Sequence, residues 1–192
     1  MVETLPSSVD VFIAGGGPEG LATAIAAPRH GLSVLVADGA ATPIDKPCGE
    51  GLTPDSIEAL HQLGVTLPEG DAFPFRGIRF LSAGRTAEGR FPFGTAYGIR
   101  RTTLHGVMVQ HASDSGVSLQ WQAVVTGLHP EGALVGGNLV RARWVIGADG
   151  SASHVRSFAN LDAHRSMSQR FAFRRHKQNM GRLDPPIFAR LL

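Results

Sequence analysis

Hydrophobic positions form short runs and helix-spaced faces along most of the chain. The first run covers Val9 to Ala14, an alanine-rich stretch follows from about Pro18 to His30, and a second run covers Ser33 to Ala37. Short apolar runs predict strands, and the stretch between them predicts a helix that Gly31 ends. Pro28 lies late in this helix and should kink or shorten its last turn. The opening of the chain therefore predicts a strand–helix–strand unit.

Two further helices and several strands follow from the same reasoning. Thr53 is a good N-cap for a helix that Gly64 ends, and another helix is predicted from about Thr103 to Ser115. Strand structure is predicted over residues 77–93, with a turn at 85–89, and over 117–121, 123–128, 133–140 and 144–146. Turns are expected at Gly132 and at residues 136–138.

Glycines lie between the first strand and the first helix. Gly15, Gly17 and Gly20 follow the G-x-G-x-x-G spacing. Gly15 allows a tight turn, Gly17 lets the backbone approach a pyrophosphate, and Gly20 lets the helix pack close to the strand. Pro18 suits the first helical turn, whose free N–H groups and dipole attract phosphate. With 24 glycines in the chain the spacing alone is weak, but its place between a strand and a helix predicts a dinucleotide site.

An acidic residue, Asp38, ends the second predicted strand. A carboxylate at this place can accept hydrogen bonds from ribose hydroxyls. The acid favours an unphosphorylated ribose, as in FAD or NAD, because an NADP site more often places a basic residue there.

Composition limits the classes of protein to consider. The 192 residues allow one domain, or one domain and part of another. A hydrophobic content of 43% and a charged content of 18% argue against wholesale disorder. No apolar run approaches the ~20 residues of a transmembrane helix, and the first residues do not resemble a secretory signal. The lone Cys48 excludes an internal disulfide, so we expect a cytoplasmic protein.

Nucleic-acid and metal binding are not expected. Basic residues concentrate after position 165, but they do not alternate with aromatic residues in a recognisable module. The eight histidines show no metal-ligand spacing, so we interpret them as surface or packing residues and assign no metal site.

Two more glycine-containing segments are candidate ligand contacts. The loop after Asp38 contains Cys48-Gly49-Glu50-Gly51, and two glycines beside an acid favour backbone approach to a ligand over a plain connection. Later, the apolar strand 144–146 runs into Gly147-Ala148-Asp149-Gly150. By itself this turn is as consistent with an ordinary strand-to-helix connection as with a site.

Taken together, the glycine fingerprint, the Asp149-Gly150 motif and their separation resemble the FAD-dependent monooxygenase family of the para-hydroxybenzoate hydroxylase type. The loop Cys48-Gly49-Glu50-Gly51 resembles that of the geranylgeranyl-reductase-like branch. The likeness covers about residues 9–176. It implies an α/β, Rossmann-like FAD/NAD(P)-binding fold with a parallel sheet, helices, a β-meander and an incomplete substrate-domain sheet.

The resemblance also implies which residues contact the cofactor. In the family, the fingerprint glycines hold the FAD pyrophosphate, the acid after the second strand holds the ribose, and the cysteine–glycine loop lies beside the flavin ring. The family arginine of an R-x-x-L helix maps onto Arg101, and the motif D-G-x-x-S-x-V-R matches residues 149–156 at every defined position. The implied cofactor-binding residues are Gly15, Gly17, Pro18, Glu19, Gly20, Asp38, Gly39, Cys48, Gly49, Glu50, Gly51, Arg101, Asp149, Gly150 and Arg156.

The sequence departs from the family pattern in its second half. The family's third motif, a Gly-Asp pair that holds the ribityl part of FAD, has no match, because Gly70-Asp71 comes too early and lacks a preceding apolar strand. Residues 171–176 resemble the first strand of the substrate domain, and residues 179–192 match nothing in the family. A family chain is usually about twice as long. We therefore expect a truncated form that binds FAD about as well as ADP, turns over no substrate and exposes apolar surface that favours self-association.

The predicted organisation follows from the resemblance. Residues 1–160 are expected to form an FAD-binding domain, with substrate-side β-structure around 73–95 inserted, and residues 161–192 the start of a substrate domain. The expected function is an FAD-binding oxidoreductase of the monooxygenase or reductase type, with NAD(P)H as electron donor and a small-molecule substrate. No side chain declares itself as a catalytic acid or base. Two alternatives remain: a non-catalytic adenine-dinucleotide-binding fragment and an NAD-binding dehydrogenase domain.

Overall fold

The structure, a computed structural model, describes residues 5–48, 50–82 and 84–162, together with the backbone of 189–191. The described residues belong to two compact units, the first within 1–44 and 105–169 and the second within 45–104 and 170–192. In chain order the elements are β1 (Ser8–Ala14), α1 (Pro18–Ala26), β2 (Val34–Asp38), β3 (Gly51–Leu52), α2 (Pro54–Gln62), β4 (Ala72–Phe75), β5 (Gly77–Ser82), β6 (Arg85–Arg90), β7 (Ala96–Ile99), α3 (Arg101–Asp114), β8 (Ser118–Trp121), β9 (Val125–His129), β10 (Gly132–Val135), β11 (Asn138–Gly147), α4 (His154–Phe158) and β12 (Ala189–Leu191).

The first unit is built on a six-stranded sheet with the order β8-β2-β1-β11-β10-β9. Strands β8, β2, β1 and β11 are parallel, whereas β9, β10 and β11 form an antiparallel meander. This arrangement confirms the predicted α/β fold with a parallel sheet and a β-meander. The carboxyl ends of the parallel strands, including Ala14 and Asp38, lie at the same edge of the sheet.

Strand β1 forms the centre of this sheet and of its core. Phe12 and Ile13 are fully buried, which is typical of a central parallel strand covered on both faces. Helix α1 contributes Leu21 and Ile25, spaced four residues apart, to the buried set. Burial of such side chains stabilises the fold by about 1.5–3 kcal/mol each.

The end of α1 matches the effect predicted for Pro28. The α-helix stops at Ala26 and continues as a tighter 3-10 turn over Ala27–His30 that contains the proline. Gly31 then adopts a left-handed conformation with φ 73° and ends the turn.

The second unit contains two small sheets. Strands β3, β7 and β4 form one antiparallel sheet, and β5 and β6 form a hairpin beside which β12 lies parallel to β5. The turn predicted at 85–89 is wrong, because those residues belong to β6, paired with β5 from Ser82↔Arg85 to Gly77↔Arg90. Strand β6 is exposed along its length and therefore lacks the apolar alternation that would reveal a strand. The chain reverses earlier, where Gly84 has φ 77°.

Two other boundaries differ from prediction. Helix α3 begins at Arg101, two residues before the predicted start. The turn at Gly136–Gly137 is confirmed, with φ values of 55° and 85°. However, β11 then runs without interruption from Asn138 to Gly147, so the strand predicted at 144–146 is only its last part.

Some predictions fall beyond these residues. The strand expected at 171–176 lies outside the described ranges, so the boundary between domains at 160/161 stays a prediction. Among the helices that the structure describes, none has the length and apolar character needed to cross a membrane.

Candidate functional site

The loop between β1 and α1 lies at the carboxyl edge of the parallel sheet and contacts the ends of both neighbouring strands. The Gly15 N–H donates to the Ala37 carbonyl at 2.8 Å, and the Ala148 N–H donates to the Ala14 carbonyl at 2.7 Å. Three predicted segments, the fingerprint loop, the end of β2 and the turn after β11, therefore meet in the first unit.

Two fingerprint glycines are required by close packing. Gly15 has φ 110°, and a Cβ there would lie 2.3 Å from the Ala148 carbonyl oxygen. A Cβ on Gly20 would lie 1.9 Å from the Gly15 carbonyl oxygen. Both distances are shorter than any real Cβ contact, so the strand, the helix and the turn after β11 approach as they do only because these residues are glycine.

Gly17 plays a different part as the N-cap residue of α1. Its backbone is extended, with φ −69° and ψ 176°, and no side chain caps the helix. Pro18 starts the helix and Glu19 is an exposed acid in its first turn. The N–H groups of that turn thus have no capping side chain, which fits an anion as their hydrogen-bond acceptor.

Both carboxylate oxygens of Asp38 bind backbone N–H groups. Oδ2 accepts from Gly16 at 2.8 Å, and Oδ1 accepts from Ala40 at 2.8 Å. Asp38 therefore holds the fingerprint loop and the chain after β2, and its contact with a ribose stays a prediction. Each oxygen keeps a second lone pair, so hydrogen bonds from ribose hydroxyls remain compatible with this geometry. The adjacent Gly39 is exposed, and a Cβ there would meet Val124 at 3.3 Å.

Two residues near this loop were missed by the sequence reasoning. His105 of α3 is fully buried, and its Nε2 lies 2.9 Å from the Gly16 carbonyl oxygen. Trp121, beside Asp38 in the β2–β8 pairing, places its ring against Gly16, where a Cβ would lie 2.3 Å from the ring. The ring centroids of His105 and Trp121 are 5.5 Å apart. His105 shares the buried face of α3 with Met108 and Ala112, a pattern that by itself indicates only packing.

The turn after β11 is organised by Asp149. Its Oδ2 accepts from the N–H groups of His154, at 2.7 Å, and Val155, at 3.1 Å. Burial acts to raise the pKa of Asp149, but hydrogen bonds from the Ser153 side chain and from the Val155 and His154 N–H groups outweigh it and hold the pKa below its ordinary value. Its other oxygen, Oδ1, is buried with no hydrogen-bond partner in the described part of the chain. Such an atom fits a site that receives a donor from a ligand.

The other residues of the D-G motif stabilise the same turn. Gly150 has φ 87°, a conformation that favours glycine. Arg156 donates from Nε to Asp162 at 2.7 Å and from Nη2 to the Ser151 carbonyl at 3.1 Å. These bonds give Arg156 a structural role here, and its predicted contact with the cofactor stays a prediction.

The remaining predicted residues lie in the second unit. Cys48 is exposed, Gly49 is outside the described residues, and Gly51 pairs with Gly98 in the β3–β7 ladder. Glu50 has φ 52°, and its Oε1 accepts from the Arg101 N–H at 2.9 Å. The Arg101 Nε is buried and lacks a hydrogen-bond acceptor among the described atoms. Their contacts with a cofactor also remain predictions.

In the part of the chain that the structure describes, no group of three or more histidine, cysteine, aspartate or glutamate side chains could hold a metal ion. The donors and acceptors around the fingerprint loop fit instead the phosphates and ribose of a dinucleotide.

Comparison with known proteins identifies relatives of this chain. A family model described as FAD binding domain matches residues 8–174. Menaquinone reductase of Mycobacterium tuberculosis is 35% identical over 163 residues, a match covering 78% of this chain and 40% of that protein. Rifampicin monooxygenase of Streptomyces venezuelae is 31% identical over 172 residues, covering 79% of this chain and 34% of that protein. The chain thus spans less than half the length of these relatives.

A solved structure supports the same fold. The crystal structure of PqsL, a probable FAD-dependent monooxygenase from Pseudomonas aeruginosa, superposes with a TM-score of 0.71. The match covers 82% of this chain and 47% of that one, at 20% identity. At this identity the likeness shows the fold alone. The family model, which covers most of the sequence, goes further: the chain belongs to the FAD binding domain family.

Proposed function

We propose that this chain binds the ADP half of FAD at the carboxyl edge of its parallel sheet and serves an NAD(P)H-dependent flavin oxidoreductase. The observation that carries the proposal is the first turn of α1, which has no capping side chain and follows a loop held by Asp38. The pyrophosphate would accept hydrogen bonds from this turn, where the helix dipole also favours negative charge. The ribose hydroxyls would donate to Asp38.

The reaction belongs to the flavin, and the protein binds and orients it. A bound flavin supplies hydride transfer or oxygen activation. The relatives are named as a menaquinone reductase and a rifampicin monooxygenase. We propose a small-molecule substrate. Of the two reactions we favour reduction over hydroxylation, because the loop with Cys48 resembles the reductase-like branch. A quinone is the substrate class that the name of the menaquinone reductase relative suggests. This chain by itself is expected to turn over no substrate, so NADPH oxidation that depends on a soluble naphthoquinone under anaerobic conditions would support this direction and overturn that expectation. Oxygen-dependent formation of a hydroxylated product would replace it with monooxygenation.

Cofactor binding is tested with the purified 192-residue protein. FAD is added, excess is removed, and the flavin absorbance that remains is recorded. Calorimetry then compares FAD, ADP and NAD. Retained flavin and an FAD affinity at least equal to that for ADP support the proposal. A colourless protein that binds ADP but retains no FAD indicates a nucleotide-binding fragment, and NAD binding without FAD indicates a dehydrogenase domain.

A matched pair of variants locates the binding site. Gly17→Val puts a branched side chain where the backbone would meet the pyrophosphate and should weaken both FAD and ADP binding. Gly89→Val is the control, because Gly89 lies on the exposed strand β6 and nothing lies within 4 Å of an added Cβ. Equal affinities for the two variants would contradict a phosphate site at Gly17.

The proposal also includes self-association and a cellular location. Phe73 and Phe93 of the second unit are 65% and 61% exposed, and we propose that exposed aromatic side chains of this kind contribute to self-association. Light scattering of wild type and of Phe73→Ser would show whether the association depends on Phe73. We also propose a cytoplasmic location, since the exposed thiol of Cys48 stays free in a reducing compartment.

A further inference from the structure

Two successive peptide groups flanking Gly16 are held by side chains from different elements. The N–H of Gly16 donates to Oδ2 of Asp38 at 2.8 Å. The carbonyl oxygen of Gly16 lies 2.9 Å from Nε2 of His105. Asp38 comes from the end of β2 and His105 from α3, so two different elements hold the fingerprint loop by hydrogen bonds to Gly16.

The contact with the Gly16 carbonyl shows which nitrogen of the His105 ring carries a hydrogen. A carbonyl oxygen can only accept a hydrogen bond, so Nε2 must carry the hydrogen. Among the described residues, His105 is the one polar or charged residue that is buried, with a relative exposure of 0%. Water does not reach this side chain in the folded structure, so loss of the donor would leave the Gly16 carbonyl without that partner.

Trp121 completes the surroundings of the same loop. Its ring lies 5.5 Å from the imidazole, centroid to centroid, and against the Cα of Gly16. Gly16, which lies between the two bound peptide groups, therefore has to be a small residue. The indole of Trp121 also limits how far the loop can rotate.

We propose that His105 is a positioning residue for cofactor binding, which orients the Gly17 N–H through the Gly16 carbonyl. The carbonyl of Gly16 and the N–H of Gly17 belong to one planar trans peptide group and point in opposite directions. A hydrogen bond that holds the carbonyl toward His105 therefore aims the N–H away from it, at the start of α1. The inference rests on the proposed function, because a phosphate at this place would accept that N–H.

The alternative is that His105 only fills space in the core. A side chain of similar volume without a donor would then serve equally well. The two explanations predict different nucleotide affinities for a pair of replacements of equal length, one with a terminal N–H donor and one without.

The test compares His105→Gln with His105→Met in the full chain. Both lose the ring contact with Trp121, but only glutamine can donate to the Gly16 carbonyl. We expect calorimetry to show ADP bound about tenfold more weakly by His105→Met than by His105→Gln, equivalent to roughly 1.4 kcal/mol. His111→Met, on the same helix, is the control and should bind as wild type does. Equal ADP affinities for the methionine and glutamine variants would overturn the proposal.

Two measurements need no bound nucleotide and separate this inference from the proposed function. Hydrogen exchange at the Gly16 amide should be about fivefold faster in His105→Met than in His105→Gln, because the loop opens more often. In wild-type protein, nitrogen-15 spectroscopy should show hydrogen on Nε2 of His105. A ring protonated only at Nδ1 contradicts the positioning role whether or not the variants fold. If wild type binds neither ADP nor FAD, the proposed function fails while the exchange result still shows whether His105 orders the loop.

Discussion

Oε1 of Glu50 accepts a hydrogen bond from the N–H of Arg101 at 2.9 Å, across 51 positions of sequence. Arg101 is the first residue of α3, so an acid from a distant loop satisfies one of the N–H groups that a helix leaves unpaired at its start. The negative charge also interacts favourably with the helix dipole. The acid predicted as a cofactor contact is thus at least a structural link between its loop and α3.

Glu50→Ala should destabilise the protein by about 1 kcal/mol, the usual effect of losing a helix cap. Glu50→Gln keeps an acceptor oxygen and should recover part of this loss. The measurement is the urea dependence of unfolding. Glu69→Ala changes an exposed acid of the same unit and provides the control. A Glu50→Ala variant as stable as Glu69→Ala would show that the bond to Arg101 adds no stability.

Asp38→Ala should lower stability as well as nucleotide affinity. The replacement leaves the N–H groups of Gly16 and Ala40 without their carboxylate, and because both bonds are part-buried, water can offset some of this loss. We expect a loss of about 1–3 kcal/mol in the free energy of unfolding and weaker ADP binding. Asp114→Ala, at the exposed end of α3, is the comparison. A loss of ADP affinity with unchanged stability would mean that Asp38 does not hold the loop in solution.

Gly16→Ala should destabilise the fold through Trp121. The added Cβ would lie 2.3 Å from the indole ring, so the ring has to move. Overpacking of this kind typically reduces stability by about 1–3 kcal/mol. The double variant with Gly16→Ala and Trp121→Leu should lose less stability than the sum of the losses in the two single variants. Thermal unfolding of all four proteins gives the comparison, and purely additive effects would argue against contact between the two residues.

Asp149 should make stability depend on pH in acid. Its pKa in the folded protein lies below the ordinary value of 3.8, so the folded state favours the charged carboxylate. The resulting stabilisation is present above that ordinary value and is lost as the pH falls through the lower, folded value. Asp149→Asn should therefore be less stable than wild type at neutral pH, and the difference should shrink below pH 3.8.

Denaturant unfolding of wild type and Asp149→Asn from neutral pH downward tests this. Some acid dependence should remain in the variant, because the N–H and hydroxyl of Ser33 also hold the pKa of Asp10 below its ordinary value. A constant stability difference across the acid range would mean that Asp149 does not titrate differently on folding.

Local pattern predicted most of residues 9–38. The apolar runs, the glycine spacing and Asp38 predicted β1, β2 and the start of α1 within about one residue. The α-helix ends at Ala26 and not at His30, which agrees with the shortening expected from Pro28. These features depend on contacts between neighbours in sequence and on burial of one strand on both faces, so they leave a periodic signal. The segment itself left FAD and NAD open, and the resemblance carried by the later motifs predicted FAD, which the family model bears out.

The hydrophobic pattern failed where backbone pairing and distant contacts decide the structure. Strand β6 is polar and exposed, and it is held by its backbone ladder with β5 and by the cross-strand ion pair of Arg79 with Glu88. Helix α3 starts two residues early, at the residue whose N–H Glu50 accepts. Neither feature has a local signature.

The sequence by itself determined the strand, the glycine turn, the helix and the acid that ends the next strand, and from them predicted a dinucleotide site, because these features depend on local backbone geometry. Only the tertiary structure revealed what holds that loop. His105 has the spacing of an ordinary packing residue, yet the fold places its Nε2 2.9 Å from the Gly16 carbonyl, 89 positions away. A hydrogen bond between residues so far apart depends on how the helix and the sheet pack, and no periodicity of the chain encodes it.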